Sequence, residues 1–185
     1  MSTTALTTRQ EIDAPTVSRE AMEQVLIGGD LKALTPADRV NYYGAVCKSV
    51  GLNPLTKPFE YIILNSKMTL YAKRDCTDQL RAINKVSICI KAREMNGDVY
   101  TVTAQATLPS GRQDESIGAV SIAGLKGEAM ANALMKAETK AKRRVTLSVC
   151  GLGWLDETEV DTIPSTKYLE VNHESGEIEV EIDTG

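Results

Sequence analysis

Histidine is nearly absent from this 185-residue chain: His173 is the only one, and it sits in an acidic stretch. Ser/His and Cys/His nucleophilic pairs are therefore not expected. The four cysteines, Cys47, Cys76, Cys89 and Cys150, contain no CxxC pair, so neither a zinc site nor a disulfide framework is predicted. There is no GxxxxGK(S/T) loop to cradle a nucleotide phosphate, and no cofactor is expected. No apolar run approaches the roughly 20 residues of a membrane span. The opening MSTTALTTRQEIDAPT also lacks the apolar core of a signal peptide, which predicts a cytosolic protein with no membrane contact. Aromatic residues make up only 4% of the chain, too few to hold a ligand mainly by ring stacking.

What is abundant is helix-forming sequence near the C-terminal third. Residues 126–154, KGEAMANALMKAETKAKRRVTLSVCGLGW, contain no proline and are dominated by Ala, Met, Leu, Lys, Glu and Arg. Gly151 and Gly153 supply the stop. At 100° per residue Met130, Leu134, Ala137, Ala141, Val145 and Ser148 share a stripe that is expected to face a core. Lys136, Lys140, Arg143 and Arg144 form a second, basic stripe beside it. The net charge of −4 conceals an asymmetry: residues 155–185 hold ten acids against Lys167, a balance of −9, and the rest of the chain carries +5. A basic body with an acidic tail suits a polyanion binder.

The predicted organisation is an N-terminal arm at 1–17, one domain at 18–155 and an acidic tail at 156–185. Ser18 caps a short helix that Gly28-Gly29 ends, and Thr35-Pro36 starts a second that closes at Gly51. Pro54 and Pro58 make 52–58 a fixed loop. Segments 59–64 and 68–72 read as a hairpin, and 73–83 as a helix with Cys76, Leu80 and Ile83 on one side. Segments 86–93, 99–108 and 112–122 alternate as strands around Asn96-Gly97 and Pro109-Ser110-Gly111 turns. The fold class is α+β: an antiparallel hairpin and a three-stranded meander packed with helices, with the long helix on the sheet. In the tail, alternation at 168–171 and 178–182 marks a hairpin, expected to be disordered or ordered only against a partner because two lone strands are rarely stable.

Catalytic constellations are weak. Glu138-Thr139-Lys140 has the carboxylate-x-lysine form of metal-dependent nucleases, but it falls in mid-helix with no acid beside it. Asp75 and Asp78 are more simply read as partners of Lys73, Arg74 or Arg81 than as metal ligands, so no metal site is assigned. Lys67, Tyr71, Lys73, Arg74 and Arg81 instead interleave cations with a ring, the pattern of a single-strand channel. With Lys136, Lys140, Arg143 and Arg144 they are the candidate DNA-binding residues, and with so few rings, phosphate tracking must dominate.

The order of GLNPLTKPFEYI, hairpin, YAKRDCTDQLRAI, meander and KAETKAKRRVTLSVCGLGWLDE resembles the phage single-strand annealing proteins of the RecT, Redβ and Erf groups over about residues 39–156. The resemblance implies an annealing-protein-like core and an ATP-independent, non-enzymatic protein of the bacterial host cytoplasm. Such a protein coats single-stranded DNA, oligomerises into rings or filaments and anneals complementary strands in phage recombination. It also implies a phage exonuclease and a host single-strand-binding protein as partners, and the annealed duplex intermediate as a ligand beside single-stranded DNA. It further implies a groove between the hairpin and the long helix, and the acidic tail is expected to compete with DNA for that groove or to dock one of those partners. Two other classes stay open, a non-catalytic phage adaptor or assembly protein that oligomerises through the long helix, and a metal-dependent nuclease.

Overall fold

The computed structural model describes residues 17–64, 66–153 and 167–183. Within them the chain is α+β, with four α-helices and two separate antiparallel sheets. Helix α1 (Arg19–Gly28) starts where the Ser18 hydroxyl accepts the Ala21 N–H at 3.1 Å. Helix α2 (Pro36–Ser49) starts where Thr35 accepts the Asp38 N–H, with proline at the first position. A hairpin, β1 (Phe59–Leu64) and β2 (Lys67–Ala72), leads into α3 (Arg74–Asn84). The meander β3 (Ser87–Asn96), β4 (Val99–Thr107) and β5 (Gln113–Ser121) leads into α4 (Gly127–Val149), and β6 (Lys167–Val171) and β7 (Ile178–Asp183) follow. Helices α2 and α4 end alike. The amide of Leu52 donates to the Cys47 carbonyl and that of Leu152 to the Leu147 carbonyl, each at 2.8 Å, past a glycine in the left-handed region. Among the described residues no helix is long and apolar enough to cross a membrane.

The meander forms its own sheet, ordered β3-β4-β5, and α4 lies across it, packed on β4 and β5. Their interface is built from small side chains: Val102, Ala104 and Ala106 on β4 face Ala137, Ala141 and Val145 on the helix, all fully buried. Gly118 on β5 completes the contact, since a Cβ there would overlap the Ala137 carbonyl oxygen and the Ala141 backbone nitrogen. Ala137, Ala141 and Val145 are thus buried as their spacing predicts, while Met130 and Leu134 are only half-buried. On the other side of the helix, Leu147 enters the second core, formed by sheet β2-β1-β6-β7 with α1, α2 and α3. Cys150 packs against both cores. Ile83, expected inside, is 49% exposed.

The second sheet departs from the tail expectation. For residues 167–183 the ordering partner is the chain's own β1, with Tyr61, Ile62 and Ile63 paired to Leu169, Tyr168 and Lys167. The reason lies in β1, where Tyr61, Ile62 and Ile63 are consecutively buried: a strand covered on both faces belongs inside a sheet, with neighbours on both edges. Leu169 and Val171 join the core. The buried Arg39 guanidinium donates to the Leu34 carbonyl at 3.0 Å and to the Gly176 carbonyl, tying α2 to the β6–β7 turn. Gly176 approaches so closely that a Cβ would overlap the Pro36 carbonyl. His173 sets its ring edge-on to Tyr43 at 4.9 Å. Residues 1–16 and 154–166, which include most of the predicted arm and the first part of the tail, lie outside the described residues.

Two outcomes test this packing. Gly118→Ala should lower unfolding stability by about 1–3 kcal/mol or more, because the helix must lift from the sheet; an unchanged urea midpoint would refute the close approach. Burial, helped by Lys57 and Lys73, lowers the pKa of His173 below its ordinary value of 6.5. The fold therefore favours neutral imidazole, and its contribution is complete above about 6.5 and is lost as pH falls through the folded value. Amide protection across 167–183 should weaken between about pH 7.5 and pH 5, and His173→Phe should abolish that dependence.

Candidate nucleic-acid interface

The basic residues reach a common site through three elements. On α3, Cys76, Thr77 and Leu80 face the core, which leaves Arg74, Asp78 and Arg81, at i, i+4 and i+7, on the flank toward α4. Arg81 bridges the two helices: it pairs with Asp78 and donates to the Thr146 hydroxyl at 3.1 Å, and that hydroxyl donates to the Lys142 carbonyl at 2.7 Å. Arg74 Nε lies 3.6 Å from the same Asp78 carboxylate. On α4, Arg143 stands over the Tyr71 ring of β2, 4.6 Å from its centroid, a cation–π contact that orients the guanidinium. Arg74, Asp78, Arg81 and Arg143 line a cleft of about 620 Å³ with Thr77, Arg93, Tyr100, Leu134, Met135, Glu138, Thr139 and Lys142.

Arg93 and Lys142 are not among the residues expected from the sequence. Lys142 lies off the basic stripe and four residues after Glu138, spacing that reads as an ordinary helical ion pair. Arg93 is hidden by backbone geometry. Ile90 pairs with Ala104, but Ala92 pairs with Thr103, so Lys91 is an extra residue and β3 bulges. Beyond the bulge the alternation is inverted, and Arg93, paired with the buried Val102, turns toward α4. There it meets Glu138 at 2.9 Å, while Lys142 Nζ meets the other Glu138 oxygen at 2.6 Å. These two bonds, Lys142 first and Arg93 second, hold the Glu138 pKa below its ordinary value of 4.5. Asp78 and Glu138 each serve two cations and Arg143 lines the cleft as a fifth, so among the described residues the lining carries five cationic side chains against two carboxylates, a formal excess of three positive charges.

The other predicted residues lie elsewhere. Lys67 donates to the Gly28 carbonyl at 2.9 Å, beside the end of α1. Lys73 pairs with Glu60 at 2.7 Å and lines a different, larger cleft of about 1020 Å³. Arg144 donates to the Ile117 carbonyl at 2.9 Å, on the open edge of β5. Lys140 lies over Gly118 of β5, and Lys136 is exposed one turn earlier on α4. The basic stripe therefore divides, with Arg143 entering the cleft and Arg144 and Lys140 following β5. The larger cleft has an apolar wall of Tyr43, Phe59, Leu169 and Val171 and a rim of Glu60, Glu170, Glu174 and Glu179 against Lys57 and Lys73. That rim disfavours a polyanion, and it places the hairpin's acids Glu170, Glu174 and Glu179 in the other cleft rather than over the cationic one. Among the described residues no three His, Cys, Asp or Glu side chains are grouped as metal ligands. Burial pushes the Cys47 thiol up to about 11 and the Cys76 thiol up to about 12, far from a reactive thiolate at neutral pH.

Comparison with protein-family models and with curated proteins finds no match for this chain.

The shared-acid geometry is directly measurable. The side-chain carboxyl of Glu138, followed by NMR, should titrate below 4.5, and Lys142→Met should return its midpoint toward 4.5 by more than Arg93→Met does. A midpoint that neither substitution moves would mean that the two cations do not hold this carboxylate.

Proposed function

We propose that the α3–α4 cleft holds the phosphate backbone of single-stranded DNA and of the annealed duplex intermediate, and that the protein anneals complementary strands as a homo-oligomer without nucleotide hydrolysis. The observation that carries this reading is the convergence of Arg74, Arg81, Arg93, Lys142 and Arg143 on one cleft whose lining, among the described residues, holds two acids, Asp78 and Glu138. The resemblance to RecT, Redβ and Erf-type annealing proteins supplies the rest of the proposal: an annealing-protein core, a role in phage recombination in the bacterial cytoplasm, and an exonuclease and a host single-strand-binding protein as partners. The α+β fold and the long helix α4, closed by Gly151 just past its end, are consistent with it.

The physics of annealing fits such a cleft. Two strands repel through their phosphates, and a protein that neutralises those phosphates without reading the base edges leaves the edges free to pair. An excess of three charges per subunit makes a weak contact, but repetition along an oligomer multiplies it. Little sequence preference follows, because the ligand groups are phosphates. No step requires a general acid, a nucleophile or a metal ion.

The decisive experiment is fluorescence anisotropy of a labelled oligonucleotide across a salt series, with the complementary strand added second and without magnesium or nucleotide. About three phosphates per subunit predict a log–log salt slope of about −2 per subunit for a single strand. Arg143→Ala and Arg74→Ala should each flatten that slope by about 0.7, whereas Lys67→Ala should leave it unchanged. Binding that ignores salt, or an equal loss on Lys67→Ala, would refute the assignment of this cleft.

A further inference from the structure

The cleft is not uniform along its length. At the α3 end it is cationic, with Arg74, Arg81, Lys142 and Arg143; at the other end it is lined by Tyr100, Leu134 and Met135. The β3 bulge that aims Arg93 at α4 acts here too. Two residues later Met95 pairs with Tyr100, so both side chains project from the same face of the sheet. Met95 is 60% exposed and Met135 61% exposed, the first paired across the strands with the half-buried Tyr100 and the second lining the cleft beside it. Tyr71, the other ring near the cleft, is covered by the Arg143 guanidinium and offers that face to no ligand.

We infer that Tyr100, with Met135 and Met95, is a base-stacking platform that takes one or two unstacked bases of a single strand while the cations at the other end hold its phosphates. The inference rests on the reading of this cleft as a DNA site, and adds which part of the strand goes to which end. A strand has two chemistries, anionic phosphates and flat apolar base faces, and the cleft presents a matching surface for each. Thioether sulfur is polarizable and packs well against aromatic rings, so methionine extends the tyrosine face and adapts to any of the four bases. Stacking uses the face of a base and leaves its Watson–Crick edge open, as pairing with an incoming strand requires. In a finished duplex the base faces are already stacked on one another, so the platform favours the single strand before pairing and loses its hold after it. One ring per cleft also suits a chain so poor in aromatics.

The test compares two ligands with the full-length protein: a labelled oligothymidylate, and an abasic oligonucleotide of the same length that keeps the phosphates. The wild type should bind the intact strand about tenfold more tightly, from roughly one stacked base per subunit. Tyr100→Leu, which keeps an apolar side chain at this position, and Met135→Ser, on the exposed helix surface, should bring that ratio toward one without weakening the abasic complex. Tyr100→Phe should preserve the ratio, and Arg143→Ala should weaken both ligands in equal proportion. Far-UV circular dichroism of each variant establishes that it is folded. Equal binding of intact and abasic strands by the wild type would overturn the platform and leave the phosphate site standing. A Met135→Ser variant that changed only the oligomer distribution would also overturn it, marking this end as a contact between copies. Binding to neither ligand would remove the DNA reading itself.

Discussion

The packing of α4 against the meander is the constraint on which the rest of this structure depends. Ala137 and Ala141 meet Ala104, Ala106 and Gly118 with almost no side chain between the backbones, and no larger residue fits at Gly118. Such an interface gains little from any one group; it works because many small contacts are made at close range. Its consequence is positional. With the helix held down at Ala137, Ala141 and Val145, its other flank presents Thr146 to Arg81 of α3 and Glu138, Lys142 and Arg143 to the cleft, and Leu147 enters the other core. One helix thus joins two sheets and forms one wall of the cleft between them.

Charge is sorted by the same arrangement. The chain as a whole is acidic, yet Glu170, Glu174 and Glu179 of the β6–β7 hairpin line a cleft on the β1 side, and among the described residues the acids that line the α3–α4 cleft are Asp78 and Glu138. Each of these acids is shared between two cations. Pairs this exposed add little to stability, about 0–1 kcal/mol each. Their larger effect is to orient four long side chains while leaving the local charge positive, and the cation–π contact with Tyr71 does the same for Arg143. The bulge at Lys91 completes the site: one unpaired residue inverts the alternation of β3, bringing Arg93 and Met95 to the α4 face.

Much of the local structure was legible from residue order. The caps at Ser18 and Thr35, the glycine stops after α2 and α4, the hairpin, the meander around Asn96-Gly97 and the long helix all follow from short-range rules, and the observed elements agree to within a few residues. Of the candidate site, Arg74, Arg81 and Arg143 meet in one cleft with Tyr71 beneath Arg143. Lys67 and Lys73 do not join them, although both are neighbours of Tyr71 in sequence. Lys67 lies at the far end of β2, and Lys73, past the end of that strand, is drawn to Glu60 on β1.

What the sequence determined by itself was therefore periodicity, capping and the positions of the turns, because these depend on residues at most a turn or a hairpin apart. Tertiary structure alone decided three things: that the hairpin and the meander belong to different sheets, that β6 closes the open edge of β1, and that Arg93 and Lys142 share Glu138. Each depends on segments far apart in the chain. The alternation of a strand shows which residues share a face, but it names no neighbour for that strand, and a single bulge reverses even the face.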